Sequence, residues 1–120
     1  MRDLCVFSYD RIFSLLVSGL LHSQFSLTIA HDRSALAAWL DDEEPVLLVS
    51  DAALFDETVM MGLRTHRATH DAMPHVLLFI SLGELQFMDS GYRSCVDKVL
   101  LKPTRSEEIM STVIEMTAKG

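Results

Sequence analysis

The chain has 120 residues, 49% of them apolar, and carries 17 Asp and Glu against 10 Lys and Arg, a net charge of −7. That length suits one compact domain, and a field of that sign repels phosphate backbones, which argues against direct nucleic-acid binding by this domain. The longest apolar runs, 46–49 and 76–80, fall far short of the roughly 20 residues of a bilayer-spanning helix, and no basic segment leads into an apolar one at the start, so a cytoplasmic protein without membrane contact is expected.

Residues 4–7 are a short apolar run, after which Ile12, Leu15, Leu16 and Leu20 recur at helical spacing, predicting a strand and then a helix. Cys5 lies inside that first run and Cys95 between Ser94 and Val96, without the C-x-x-C spacing of a zinc or redox site, so both are expected as reduced core thiols. Residues 25–29 alternate apolar and polar as a half-buried strand does. Asp32 then suits a helix N-cap, with Leu36, Trp39 and Leu40 on the short helix it opens. The acidic run 41–44 reads as a solvated helix end and loop.

Pro45 starts the buried run 46–49, which closes at Ser50 and Asp51, and the next helix turns Val59, Met60 and Leu63 inward before residues 71–74 break it. Residues 76–80 are the most continuously apolar run, as a central parallel strand covered on both faces requires. A helix over 85–91 and a strand over 96–101 follow, the latter ending at Lys102 and Pro103. Thr104 to Glu107 fits a capping box for a last helix carrying Ile109, Val113, Ile114 and Met116.

Five strands alternating with five helices, without linker or repeat, predict a single α/β domain over 1–120: a parallel sheet with helices on both faces. Ligands of open parallel sheets bind beyond the carboxyl ends of the strands. That edge gathers Ser8, Tyr9, Asp10, Asp51, Ser81 and Lys102, and a carboxylate, a hydroxyl and an ammonium together can hold or transfer a phosphoryl group.

With this order of elements, the segments PVLLVSD over 45–51 and DKVLLKP over 97–103, and Ser81 closing the run 76–80, the whole chain resembles the CheY-like receiver domains of two-component response regulators. The resemblance implies a three-layer, doubly wound (βα)5 flavodoxin-like fold with strand order 2-1-3-4-5. It makes Asp51 the phosphoacceptor, supplied by the phosphohistidine of a histidine kinase or phosphotransfer protein. Ser81 and Lys102 become the groups that contact the phosphoryl oxygens, Pro103 the usually cis proline after that lysine, and Mg²⁺ a cofactor held by Asp51.

Departures from the family pattern concentrate on the switch machinery. The adjacent acidic pair that ends the first strand falls on Phe7 and Ser8 or on Ser8 and Tyr9, all uncharged. Asp10 is then either an N-cap of the first helix or, if that helix is shortened, a second metal ligand. Ser81 takes the Thr/Ser position, or Ile80 does after a one-residue shift, and the small residue that follows is Leu82. Val99 stands at the aromatic switch position, where it cannot exchange a large area between buried and exposed states. Ser94, Cys95 and Val96 replace Ala-Gly-Ala, and Phe55 replaces a proline.

These departures lead us to expect an atypical receiver that works as a signalling interaction module, with weak or no Mg²⁺ binding and weak or absent phosphorylation, no enzymatic activity of its own being expected. The alternative is an ordinary phosphoacceptor receiver. Met88, Val99, Ile109 and Met110, from the fourth predicted helix, the fifth strand and the last helix, are the expected surface for an output domain, a partner protein or a second copy. An enzyme using the same sheet edge is disfavoured by the absence of GxGxxG, P-loop and G-x-S-x-G motifs. His66 and His70, at i and i+4, are read as exposed helix-end residues rather than a metal pair. Tyr9 is either a hydrogen-bonding plug or surface.

Overall fold

A computed structural model describes residues 2–8, 10–41, 45–52, 54–70, 74–81, 83, 95–102 and 104–118. Its strands are β1 (Arg2–Phe7), β2 (Phe25–Ala30), β3 (Pro45–Asp51), β4 (His75–Ile80) and β5 (Lys98–Leu101). The helices are α1 (Arg11–Leu21), α2 (Arg33–Asp41), α3 (Glu57–His70) and α4 (Ser106–Ala118). The strands pair in parallel as one sheet in the order β2-β1-β3-β4-β5, as expected. The helix predicted over 85–91 lies outside the described residues.

Side chains alternate across a strand, and the three central strands therefore feed two cores. Leu4, Val6, Leu47, Val49, Leu77 and Phe79 pack with Val17 and Leu21 of α1 and Ile109, Val113 and Met116 of α4. Cys5, Phe7, Leu48, Val76 and Leu78 pack on the other face with Leu36, Trp39 and Leu40 of α2 and Val59, Met60 and Leu63 of α3. Every residue of 76–80 is buried, which accounts for its unbroken apolar run. Both cysteines are free and buried, and burial pushes the Cys5 thiol up to about 12. Among the described residues no helix is long and apolar enough to cross a membrane.

Local departures have local causes. Strand β5 begins at Lys98 rather than 96, because Asp97 turns its carboxylate onto the Val76 amide at 2.7 Å and so ties the loop to the start of β4. The expected capping box is not formed: the Thr104 hydroxyl donates back to the Leu101 carbonyl at 2.7 Å, and the Arg105 carbonyl accepts from the Glu108 and Ile109 amides instead. His66 is buried, not exposed, since it lies three residues after Leu63 on the inward face of α3. On α1 the buried row is Ser14, Val17 and Leu21, and the apolar residues Ile12, Leu15 and Leu16 face outward.

Candidate functional site

Strand register builds the site before any side chain is considered. β1 and β3 pair with Phe7 opposite Ser50, so the next step along both strands sets Ser8 opposite Asp51. Neighbouring residues of paired strands point to the same face. The Ser8 hydroxyl accordingly donates to Asp51 Oδ2, and both residues are buried. On the other side, Asp51 pairs with Phe79 of β4 and Ile80 pairs with Leu101 of β5, which delivers Lys102 to the same edge. Its Nζ forms an ion pair with Asp51 Oδ1.

A buried carboxylate is costly unless it is both paired and hydrogen-bonded. Here one oxygen is met by an ammonium and the other by a hydroxyl. Ser8 is itself fixed on all sides: its amide donates to the Ala30 carbonyl at 3.2 Å, its Oγ accepts from the Asp10 amide at 3.0 Å, and its carbonyl lies 2.9 Å from His31 Nδ1. The local charge of Asp51 and Lys102 sums to zero.

Of the two readings of Asp10, the geometry matches the cap. Its Oδ1 accepts from the Ile12 and Phe13 amides at 3.0 and 3.2 Å, satisfying two of the free N–H groups at the start of α1. Among the described residues no three His, Cys, Asp or Glu side chains come together as a metal-binding cluster. A hard divalent ion at this edge would meet Asp51, already engaged by Lys102 and Ser8, as its buried carboxylate.

Ser81 follows β4 directly, half-buried, at the register position opposite Lys102, and the alternative Ile80 is fully buried within the strand. Val99 of β5 packs against the core cluster that contains Leu78 and Cys95. Pro103, Tyr9, Leu82, Ser94 and Met88 lie outside the described residues. Ile109 is buried among Val113, Leu100 and Phe79, and Met110 packs against the same cluster, so Ile109 covers the core and is not part of an accessible partner surface.

Two contributors escape a reading of the sequence alone. Phe13 places its ring 5.3 Å below Lys102 Nζ and meets Phe79 edge-on at 4.9 Å. An ammonium over an aromatic face is attracted by the ring quadrupole, so Phe13 helps hold Lys102 over the site. The signal available was its place three residues after the cap, on the turn of α1 nearest the sheet edge. His31, just after β2, buttresses the Ser8 backbone, and nothing in its sequence context marks it. Beside Lys102 a cavity of about 400 Å³ opens between α1 and α4, lined chiefly by Ile12, Phe13, Leu16, Phe79 and Ile109.

These elements make the CheY-like receiver fold. Solved structures of similar shape include a response regulator from Thermotoga maritima, 18% identical, with a TM-score of 0.75 over 98% of both chains. A response regulator receiver domain protein from Clostridium thermocellum is 13% identical with a TM-score of 0.78, covering 99% of this chain and 96% of that one. NtrX from Brucella abortus is 19% identical with a TM-score of 0.79, and this chain spans 27% of its length. No family model matches the chain, and no curated protein matches it in sequence.

Proposed function

We propose that the chain is an atypical receiver domain of two-component signalling that works mainly as a protein-interaction module and binds Mg²⁺ and phosphoryl groups weakly or not at all. The observation that carries this reading is the internal neutralisation of Asp51: Lys102 takes one oxygen and the uncharged Ser8 the other. Phosphoryl transfer to a carboxylate needs a free oxygen as nucleophile and cations against the charge of the transferring group. At this edge the Asp51 carboxylate is already hydrogen-bonded and the Lys102 ammonium already paired. Its partners are then an output domain or a separate signalling protein, with a histidine kinase or phosphotransfer protein as the phosphodonor under the second reading.

That second reading, an ordinary phosphoacceptor, draws on the same Asp51–Lys102 juxtaposition. Amide NMR shifts around Asp51 during titration with Mg²⁺, beryllofluoride and acetyl phosphate separate the two. We expect millimolar or absent Mg²⁺ binding and no shift on adding phosphodonor. Stoichiometric labelling that vanishes in Asp51→Ala would overturn the atypical reading and establish the phosphoacceptor.

A further inference from the structure

Lys102 reaches the site from a strand without an aromatic residue, since β5 reads KVLL. The ring beside its ammonium comes from α1 instead. The Phe13 ring centroid lies 5.3 Å from Lys102 Nζ and 4.9 Å from that of Phe79, the two rings inclined at 71°. The Phe13 amide donates to the Asp10 cap at 3.2 Å. Its backbone is therefore fixed, and only the side chain is free to turn.

Two features give the ring a second place to go. Aromatic residues in helices have two favourable χ1 wells, at about 180° and about −60°. Phe13 is half-buried, and together with Leu16 and Ile109 it lines the cavity of about 400 Å³ between α1 and α4. A dry cavity of about 150 Å³ already admits benzene, so this one has room for a phenyl ring. The observed position is thus not imposed by crowding. It is held by two attractions, the ammonium over the ring face and the edge contact with Phe79, and the first depends on the charge of Lys102.

We propose that Phe13 is a conformational reporter of the Asp51 edge. While the Lys102 ammonium lies over it the ring stays on Phe79, and when that charge is lost or drawn away the ring turns into the cavity against Leu16 and Ile109. Asp51 and Phe13 share one ammonium, so a gain of negative charge at the Asp51 edge takes the cation from the ring. Charge at the site then alters the apolar surface between α1 and α4 through a single side chain. Lys102 is partly exposed, and at such a site the attraction shifts the balance of two ring positions by about 2–5-fold. The response is graded, and it stands under either reading of Asp51 because it concerns charge and not phosphoryl transfer.

Ring NOEs of the full chain, with Phe13 assigned through Phe13→Leu, test this without any phosphodonor. Combining Asp51→Asn with Lys102→Met removes both charges and leaves no buried ion unpaired. In that variant the NOEs from Phe13 to the Leu16 and Ile109 methyls should rise about 2–5-fold relative to those to Phe79. Combining Asp51→Asn with Lys102→Arg keeps a cation and should keep the wild-type pattern. Ser8→Asp in EDTA, which sets a second carboxylate beside Asp51, should shift the ring in the same direction by less. An unchanged pattern in the charge-free variant overturns the proposal. So does an equal change in the arginine variant, which would mark general loosening of the site, and an unmoved ring in Ser8→Asp removes the coupling to the Asp51 edge.

Discussion

The ends of β3 and β1 lie side by side and have been treated differently. β3 delivers the carboxylate of Asp51, which pairs with Lys102 arriving from β5, while β1 delivers the hydroxyl of Ser8 to the same carboxylate. Among the described residues, Lys102 is the cation that meets Asp51 and no second carboxylate is bonded to the pair. A neutral donor stabilises Asp51 about as a hydrogen bond does, but adds nothing to attract a divalent ion. The site is therefore built to be stable as it stands, and its stability and its capacity for Mg²⁺ should trade against each other.

The largest effect expected on that balance comes from removing the cation. Lys102→Met leaves Asp51 buried with Ser8 alone, and should cost about 1–3 kcal/mol of unfolding free energy, measured by urea denaturation. Adding Asp51→Asn to the same chain should restore most of the loss, since the unpaired charge is then gone. Additive effects of the two substitutions would mean that the pair is not coupled.

Restoring the missing charge at β1 sharpens the contrast from the other side. Ser8→Asp sets two carboxylates together and should lower stability in EDTA while raising Mg²⁺ affinity about 10–100-fold, read as an Mg²⁺-dependent rise in Tm. Unchanged affinity would show that something other than ligand count limits the metal. A smaller effect is expected at Phe13, whose ring lies under Lys102. Phe13→Leu keeps apolar bulk and should cost about 0.5–1 kcal/mol by chemical denaturation, a loss that should disappear when Lys102 is already Met.

Strand order and the meeting of Asp51 with Lys102 were legible in the sequence because a parallel α/β sheet sends every strand end to one edge, whatever the loops do. The register of Ser8 was legible too, to within one residue. The outward face of α1 was not. Ile12, Leu15, Leu16 and Leu20 make a clear apolar stripe, but Ser14 sits in the buried row and breaks the true inward pattern. Periodicity reports that a helix has an apolar face and is silent on what covers it. Thr104 misled for a related reason, since a hydroxyl near a helix start can accept from the helix or donate backward to the strand end, and the sequence spells both alike. Phe13 and His31 act through distances between elements far apart in the chain, which no local pattern encodes.

The smallest expected effect decides how far the β1 end has been emptied of metal-binding capacity. Asp10 is the first acidic residue after β1 in the sequence, and its Oδ1 is committed to the Ile12 and Phe13 amides. If capping is its whole role, any residue that caps as well should replace it without consequence. Asp10→Ser retains an N-cap oxygen and deletes the carboxylate, so stability should change by less than about 0.5 kcal/mol and Mg²⁺ affinity by less than about twofold. Asp10→Ala deletes both and should cost about 1 kcal/mol with the same Mg²⁺ affinity. The pair of variants separates the two roles because a cap responds to the loss of the oxygen, whereas a metal ligand responds to the loss of the charge. A tenfold fall in Mg²⁺ affinity in Asp10→Ser, measured by the NMR shifts of the residues around Asp51, would return Asp10 to the metal and show that the β1 end still contributes a charge to the site.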